Sequence, residues 1–248
     1  MSPCRYGAER DDPDLPRGDD PDLPRGGGPD GLAMTDKRYL WDPICDGHMT
    51  VEALISGAAP IARFASTYFH PRGGGQRADE GSIAGIAVIG VDHAGDDMVD
   101  HHMATLDGLH IGDAYPFRVD RAKRNRHARY HSAGHLLAAV CENVFDGLTA
   151  TKGHHWPGEA HVEFCGDRLE RVGIAIGTVE GCLADAITAA LEVVAFDGPD
   201  GMRTVRIGSY PPIACGGTHV GTSDELGRIA IRSVKIRKGL LKLGYDLE

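Results

Sequence analysis

The sequence predicts an α+β fold, in which a small N-terminal β-barrel is followed by a second unit that mixes helices and strands. Three observations carry the prediction. Residues 39–118 hold short apolar runs divided by turn residues, residues 128–145 repeat their apolar side chains at helical spacing, and strand-like runs resume after that helix. With 248 residues of which 42% are hydrophobic, the chain can bury the cores of one large or two modest domains.

Taken in order, residues 1–33 read as a disordered tail. Pro, Gly, Asp and Arg dominate it, and the octapeptide Asp11-Asp12-Pro13-Asp14-Leu15-Pro16-Arg17-Gly18 recurs unchanged from Asp19 to Gly26. Globular composition begins at Met34, a candidate for the true start. Residues 34–117 make the expected barrel domain, with strands over 61–69, 83–91 and 98–103 divided by turns such as Gly95-Asp96-Asp97 and Asp107-Gly108. Residues 118–248 make the expected second domain. Its clearest helix covers 128–145, where Ala133, Leu136, Leu137, Val140 and Val144 fall at helical spacing. A second helix is expected over 180–194 from Leu183, Ile187, Leu191 and Val194, and strands over 160–164, 171–176, 203–207 and 227–237. In the last of these, Ile229 and Ile231 alternate in one phase and Val234 and Ile236 in the other, which calls for a β-bulge near Arg232.

The chain is acidic, with 26 Lys+Arg against 36 Asp+Glu and a net charge of -10. Its cations are nevertheless concentrated. One basic stretch runs over 118–129 and another over 228–242, the second without a single acid. Each read alone is a solvated face; as a pair flanking the chemistry described next, they are equally well read as a surface for a polyanion. No apolar run approaches the ~20 residues a membrane helix needs, and no basic-then-apolar leader opens the sequence, so a cytoplasmic protein is expected. Six cysteines without paired spacing, beside 13 histidines, invite a search for a metal site rather than a disulfide framework.

His131-Ser132-Ala133-Gly134-His135 places two imidazoles about one helical turn apart, which suits two ligands of one tetrahedral cation. On the helical wheel the stripe of Ala133, Leu137, Val140 and Val144 centres roughly opposite them, so a pair of core histidines fits poorly and a pair of exposed ones is the plain alternative. Further ligands follow about 80 residues later in Cys215-Gly216-Gly217-Thr218-His219, a thiolate and an imidazole around a glycine turn. Pro211 and Pro212 stiffen the approach, whereas Cys141 and Cys165 read as packing residues. A metalloprotease helix would carry a glutamate where Ser132 stands, so peptide hydrolysis by that route is not expected. Whether His219 is a ligand or stands aside as a catalytic base is left open at this point.

With both half-motifs in hand, the sequence resembles the freestanding alanyl-tRNA editing proteins (the AlaX family) and the related editing domains of alanyl- and threonyl-tRNA synthetases. His131-Ser132-Ala133-Gly134-His135-Leu136-Leu137 is similar to that family's H-[ST]-A-x-H-L-L helix, and Cys215-Gly216-Gly217-Thr218-His219-Val220 to its C-x-G-T-H-V turn. A third block, from Thr67 to Gly81 and centred on Gly73-Gly74-Gly75-Gln76, is similar to the T-x-F-[YH]-P-x-G-G-G-Q-x-x-D-x-G segment of the longer members, which carry a barrel before the editing domain. The resemblance implies a zinc-binding editing domain with Zn2+ at His131, His135, Cys215 and His219. It implies a trans-acting deacylase that hydrolyses serine, with glycine as a second candidate, from mischarged alanine tRNA bound by its acceptor end. Thr151, by its place in the family pattern, becomes a pocket-lining candidate, and Gly73, Gly74, Gly75 and Gln76 face the tRNA end, with Asp79 ordering that turn. Arg121, Arg124, Lys235, Arg237 and Lys238 are then the candidates for phosphate contacts. The rival reading is a zinc-stabilised module that recognises tRNA or a synthetase without cleaving anything. No membrane partner and no particular oligomeric state is implied.

Overall fold

The structure, a computed structural model, describes residues 34–248 apart from Asp96, Asp97, Arg168, Pro199 and Asp200. The tail expected at 1–33 and most of the turn expected at 95–97 therefore lie outside the described residues. Six antiparallel strands close a barrel in the order β1-β2-β5-β4-β3-β6: β1 (Asp46–Ile55), β2 (Ile61–Phe64), β3 (Gly81–Ile83), β4 (Ile86–Ala94), β5 (Met98–Met103) and β6 (Ala114–Val119). Closure removes the unpaired edges that an open sheet would present. The period of two is clearest in β5, where Val99, His101 and Met103 point inward. They join Met49, Val51, Phe64, Val91 and Phe117 in one apolar core. His101, wholly buried there, keeps a polar partner: its Nε2 lies 2.8 Å from Thr67 Oγ1.

One expected barrel strand is cut short and another is divided. The run over 61–69 is strand only to Phe64, and the rest turns away toward the glycine-rich segment. The run over 83–91 is broken by Ala84 (φ 52°) and Gly85 (φ 79°), a two-residue turn that sets Ile83 against Ile86. Apolar content hid this turn; only Gly85 signalled it.

β6 leads through Asp120 into α1 (Arg121–Val144). The helix begins well before the expected Ala128. Its first two turns are polar and carry no apolar stripe, but Asp120 caps them by accepting from the Lys123 amide at 3.0 Å. α1 then packs on a four-stranded antiparallel sheet of order β12-β13-β8-β7, made of β7 (Thr149–His154), β8 (His161–Cys165), β12 (Ile229–Arg237) and β13 (Leu240–Leu247). Leu136, Leu137, Val140 and Cys141 from the helix meet Phe164, Leu241, Leu243 and Tyr245 from the sheet in a second core, while Cys165 is only half-buried. The expected bulge is present, since the β12–β13 register jumps between Ile231 and Ser233.

Elsewhere in this part the expectations need correction. The strand expected over 171–176 is helical, as α2 (Glu170–Ile174) and the start of α3 (Ile176–Thr188). α3 also ends sooner than expected; Ala190 turns with φ 48°, and Val194 lies in β9 (Val193–Asp197). β9 pairs with β10 (Arg203–Ile207), which pairs with the short β11 (Ile213–Ala214). Besides β9 and β11, two further strands were not foreseen: β7, whose Thr-Ala-Thr-Lys-Gly-His sequence lacks apolar alternation, and β13, which continues β12 through the left-handed turn Lys238-Gly239. The mixed α+β architecture with a closed barrel holds. No helix among the described residues is long and apolar enough to cross a membrane.

Candidate metal centre

α1 places His131 and His135 one turn apart, with ring centroids 5.0 Å from each other. The β10–β11 hairpin delivers Cys215 directly after β11, and the turn that follows folds His219 back onto the same point. Cys215 Sγ lies 3.4 Å from His131 Nε2 and 3.2 Å from His219 Nε2. All four donor atoms, His135 included, are within 4.8 Å of one another. Tetrahedral zinc with ordinary Zn–N and Zn–S bonds would separate an N and an S donor by about 3.5 Å. The donor set and the two sulfur–nitrogen separations fit such an ion, and the cluster could hold a metal.

Side chains around the cluster orient two of its three imidazoles, and for His131 they set the tautomer a cation requires. Gln76 Oε1 accepts the Thr218 backbone N–H at 3.0 Å, so its contact with His131 Nδ1 at 2.8 Å must be a second N–H donated to it. His131 Nε2 is thereby left with its lone pair turned toward Cys215. Ser132 positions the second ring: its Oγ accepts the Val220 amide at 3.2 Å and lies 2.9 Å from His219 Nδ1, which turns His219 Nε2 toward the cluster. His219 thus has one nitrogen engaged by Ser132 and the other within the donor set. Arg203 pins the turn by donating from Nη1 to the carbonyls of Cys215 (2.7 Å) and Gly217 (3.0 Å). Gly217 is needed for space, because a Cβ there would fall 2.0 Å from His131 Cε1.

Burial keeps these imidazoles neutral. His131 is held well below the usual imidazole range by desolvation and by the neighbouring rings of His155, His219 and His135. His219 is lowered likewise by burial, then by His135 and Arg203, and His135 is lowered to about 4 by burial and Arg203. Burial raises the Cys215 thiol, against the pull of the Gly217 amide and Arg203. A bound cation would reverse that last balance, since it stabilises the thiolate.

The wheel argument was right about direction and wrong about exposure. His131 does lie away from the sheet-facing stripe, yet it is 1% exposed, because the barrel's glycine-rich loop closes over it. That loop carries Gly73, Gly74 and Gly75; a Cβ at Gly74 would lie 3.8 Å from His131 Cε1, and one at Gly75 would lie 2.5 Å from the Gly153 carbonyl. Gln76, expected to face a substrate, is 1% exposed and spends both ends of its amide on His131 and Thr218, with Nε2 donating to Thr218 Oγ1 at 2.8 Å. Thr151 is exposed on β7, its hydroxyl donating to the Glu163 carbonyl at 3.2 Å.

Among the expected phosphate contacts, Arg124 requires correction. It is 4% exposed and binds Asp79, with Nε 2.9 Å from both carboxylate oxygens, and its Nη2 also donates to Asp79 and to the Tyr68 carbonyl. Asp79 does order its turn, accepting the His70 amide as well. Arg121 is exposed and 3.5 Å from Asp46. Lys235, Arg237 and Lys238 are exposed on the β12–β13 ribbon and, among the described residues, form no ion pair.

Sequence reasoning missed Ser132 as a partner of His219, Arg203 as the clamp on the cysteine turn, and His155. The His155 ring stacks on His131 at 4.6 Å, and its Nδ1 is 2.8 Å from Tyr245 Oη, which in turn donates to the Tyr130 carbonyl. The only hint was glycine: a Cβ at Gly134, in mid-helix, or at Gly153 would lie 2.3 Å from that ring.

No known family model matches the chain. Against curated proteins it is 31% identical over 205 residues to the alanine-tRNA ligase of Streptococcus sanguinis, covering 71% of this chain and 23% of the ligase. It is 30% identical over 223 residues to that of Pediococcus pentosaceus (80% of this chain, 25% of the ligase) and 30% identical over 209 residues to that of Streptococcus gordonii (73% and 23%). The chain spans about a quarter of the length of these relatives. It is a relative of the alanine-tRNA ligases, and the resemblance to the alanyl-tRNA editing proteins read from its three motifs is borne out by that kinship.

Proposed function

We propose, on the kinship with alanine-tRNA ligases, that the chain is a cytoplasmic, zinc-dependent trans-editing hydrolase that removes serine, and glycine, from mischarged alanine tRNA. The observation that carries the reading is the convergence of His131, His135, Cys215 and His219, two half-motifs 80 residues apart in sequence, on one cation-sized point. When bound there, zinc supplies Lewis-acid polarisation of an ester carbonyl or a hold on an amino group. The chain's own residues do the rest. Gln76 keeps Nε2 of His131 unprotonated, Ser132 holds the His219 ring in place, and Arg203 fixes the Cys215 turn. Gly73, Gly74 and Gly75, which carry no side chains, let the backbone of the loop come close to a substrate end. Selection of serine over alanine needs a partner for one hydroxyl, since a site that hydrogen-bonds a hydroxyl rejects the analogue lacking it better than an apolar pocket can. Thr151 is the candidate partner, provided that its hydroxyl exchanges the Glu163 carbonyl for substrate. Exposed Arg121, Lys235, Arg237 and Lys238 are the candidate phosphate contacts.

The test is deacylation of Ser-tRNA(Ala), Gly-tRNA(Ala), Ala-tRNA(Ala) and Ser-tRNA(Thr) by the metal-loaded chain. Release of serine from Ser-tRNA(Ala), with alanine left in place, supports the reading. One observation favours the rival: with all four donors engaged a tetrahedral ion has no open position, as in structural sites. A metal-replete chain that binds tRNA but deacylates none of the four substrates would establish the non-catalytic, zinc-stabilised binding module instead.

A further inference from the structure

On the outer face of the second sheet lies a cleft of about 470 Å³ whose lining includes His154, Glu159, His161, Arg232, Lys235 and Lys242. Two features of it are unexplained by packing. Lys235 and Lys242 sit directly opposite each other across the β12–β13 pair, an arrangement in which like charges repel. Glu163, beside Lys242 on the next strand, answers one of them, with Oε1 3.6 Å from Lys242 Nζ and 3.7 Å from His161 Nε2; Lys235 has no carboxylate partner among the described residues. A negatively charged ligand lying between the two ammonium groups would relieve the repulsion.

The second feature is a series of flat faces. His154 and His161, paired across β7 and β8, stack with centroids 5.2 Å apart and planes at 29°. Trp156 lies 4.8 Å from His154, and the Arg77 guanidinium covers the Trp156 ring at 4.2 Å. Rings interleaved with cations are the arrangement on which unpaired bases stack while phosphates are neutralised. The acids nearby do not cancel this charge. Arg232 already holds Asp246 at 2.7 Å, and Glu159 is shared between His154 at 3.8 Å and Arg77 at 3.7 Å.

The place of the cleft matters as well. His154 faces it, while the next residue, His155, stacks on His131 of the metal cluster. The cleft and the cluster are therefore back to back across the end of β7.

We propose that this cleft binds an unpaired nucleotide of a single-stranded RNA end, with the phosphate between Lys235 and Lys242 and the base against the His154 and His161 rings. The assignment rests on the reading that the chain acts on RNA, and names a surface that holds an unpaired nucleotide of that RNA. It is tested by measuring the affinity of the full, metal-loaded chain for a minihelix RNA with an unpaired 3′ end and for the same minihelix made blunt. The unpaired end should tighten binding on the order of 10-fold. His154→Ala/His161→Ala should abolish that difference, and Lys235→Gln/Lys242→Gln should shrink it and flatten its dependence on salt, with metal content unchanged in both. Equal affinity for the two RNAs, or a full preference surviving in both variants, would overturn the cleft. Deacylation of Ser-tRNA(Ala) by the wild-type chain is followed alongside. Deacylation without a preference for the unpaired end sinks this assignment alone. A preference lost in the variants, in a chain that deacylates nothing, upholds the cleft and sinks the editing reaction.

Discussion

Asp79→Ala should unfold the chain far more readily than an average substitution, because it leaves the buried guanidinium of Arg124 without its counter-ion. Asp79 is 1% and Arg124 4% exposed, so water cannot take over the lost contacts. The carboxylate meets Arg124 Nε with both oxygens at 2.9 Å and also accepts the His70 amide. Removing one partner of such a buried pair costs about 3–5 kcal/mol, mostly the burden of the stranded charge. Against a total stability of about 5–15 kcal/mol, that is about a fifth or more of the margin. Urea unfolding at pH 7 of the wild type, Asp79→Ala, Arg124→Met and the double variant measures it. The double variant should lose less than the sum of the two singles, since neither charge is then left alone. Arg124→Met should leave the salt dependence of RNA binding unchanged at equal folded fraction. The reasoning is refuted if Asp79→Ala costs less than about 1 kcal/mol, or if Arg124→Met lowers the salt slope by about one, the mark of a lost phosphate contact.

Three other outcomes are expected. Cys215→Ala should lower the metal content per chain to near zero and abolish deacylation, because no neighbouring group supplies a second thiolate; an active, metal-replete variant would remove the zinc hypothesis. Gln76→Ala should weaken metal affinity by about 10–100-fold, the usual effect of losing a partner that orients a ligand; chelator competition reads this, and unchanged affinity would show that His131 orients itself. The barrel should lose stability in acid through His101, whose pKa burial lowers from 6.5 to about 4. As the folded pKa is the depressed one, that contribution is complete above pH 6.5, falls away as the pH drops from 6.5 to 4, and amounts to about 3 kcal/mol in all. His101→Gln, which has no proton to gain in that range, should flatten the urea midpoint across the window, and an unchanged slope would contradict the assignment.

Spacing along the chain was enough to make both halves of the metal cluster legible. Histidines four apart on a helix, and a cysteine and histidine four apart around a glycine turn, are local patterns, and local geometry is set by short-range sterics. The bulge at Arg232 was legible for the same reason, since the change of phase between Ile231 and Val234 leaves a strand no other way to keep both pairs in register. Composition likewise announced the barrel and the long helix. It misplaced the start of that helix, because Asp120 and a polar first turn carry no hydrophobic period, and it missed β7, whose side chains do not alternate.

The remaining features depended on contacts between residues far apart in sequence, and no short-range pattern encodes those. Arg124 belongs to a run that looks like a basic surface, yet the fold sets Asp79 beside it and removes both from water. Gln76 belongs to a loop that looks like a substrate cradle, yet its amide is consumed in orienting His131 and the Thr218 turn. His155 gave no signal beyond the glycines that make room for its ring. A side chain's type fixes what it can bond to, but its partner and its exposure are set by packing, where an unpaired buried polar group costs more than a bond gains. The residue types of a cluster that could hold a metal were therefore legible in one dimension, and the network that aims them was decided in three.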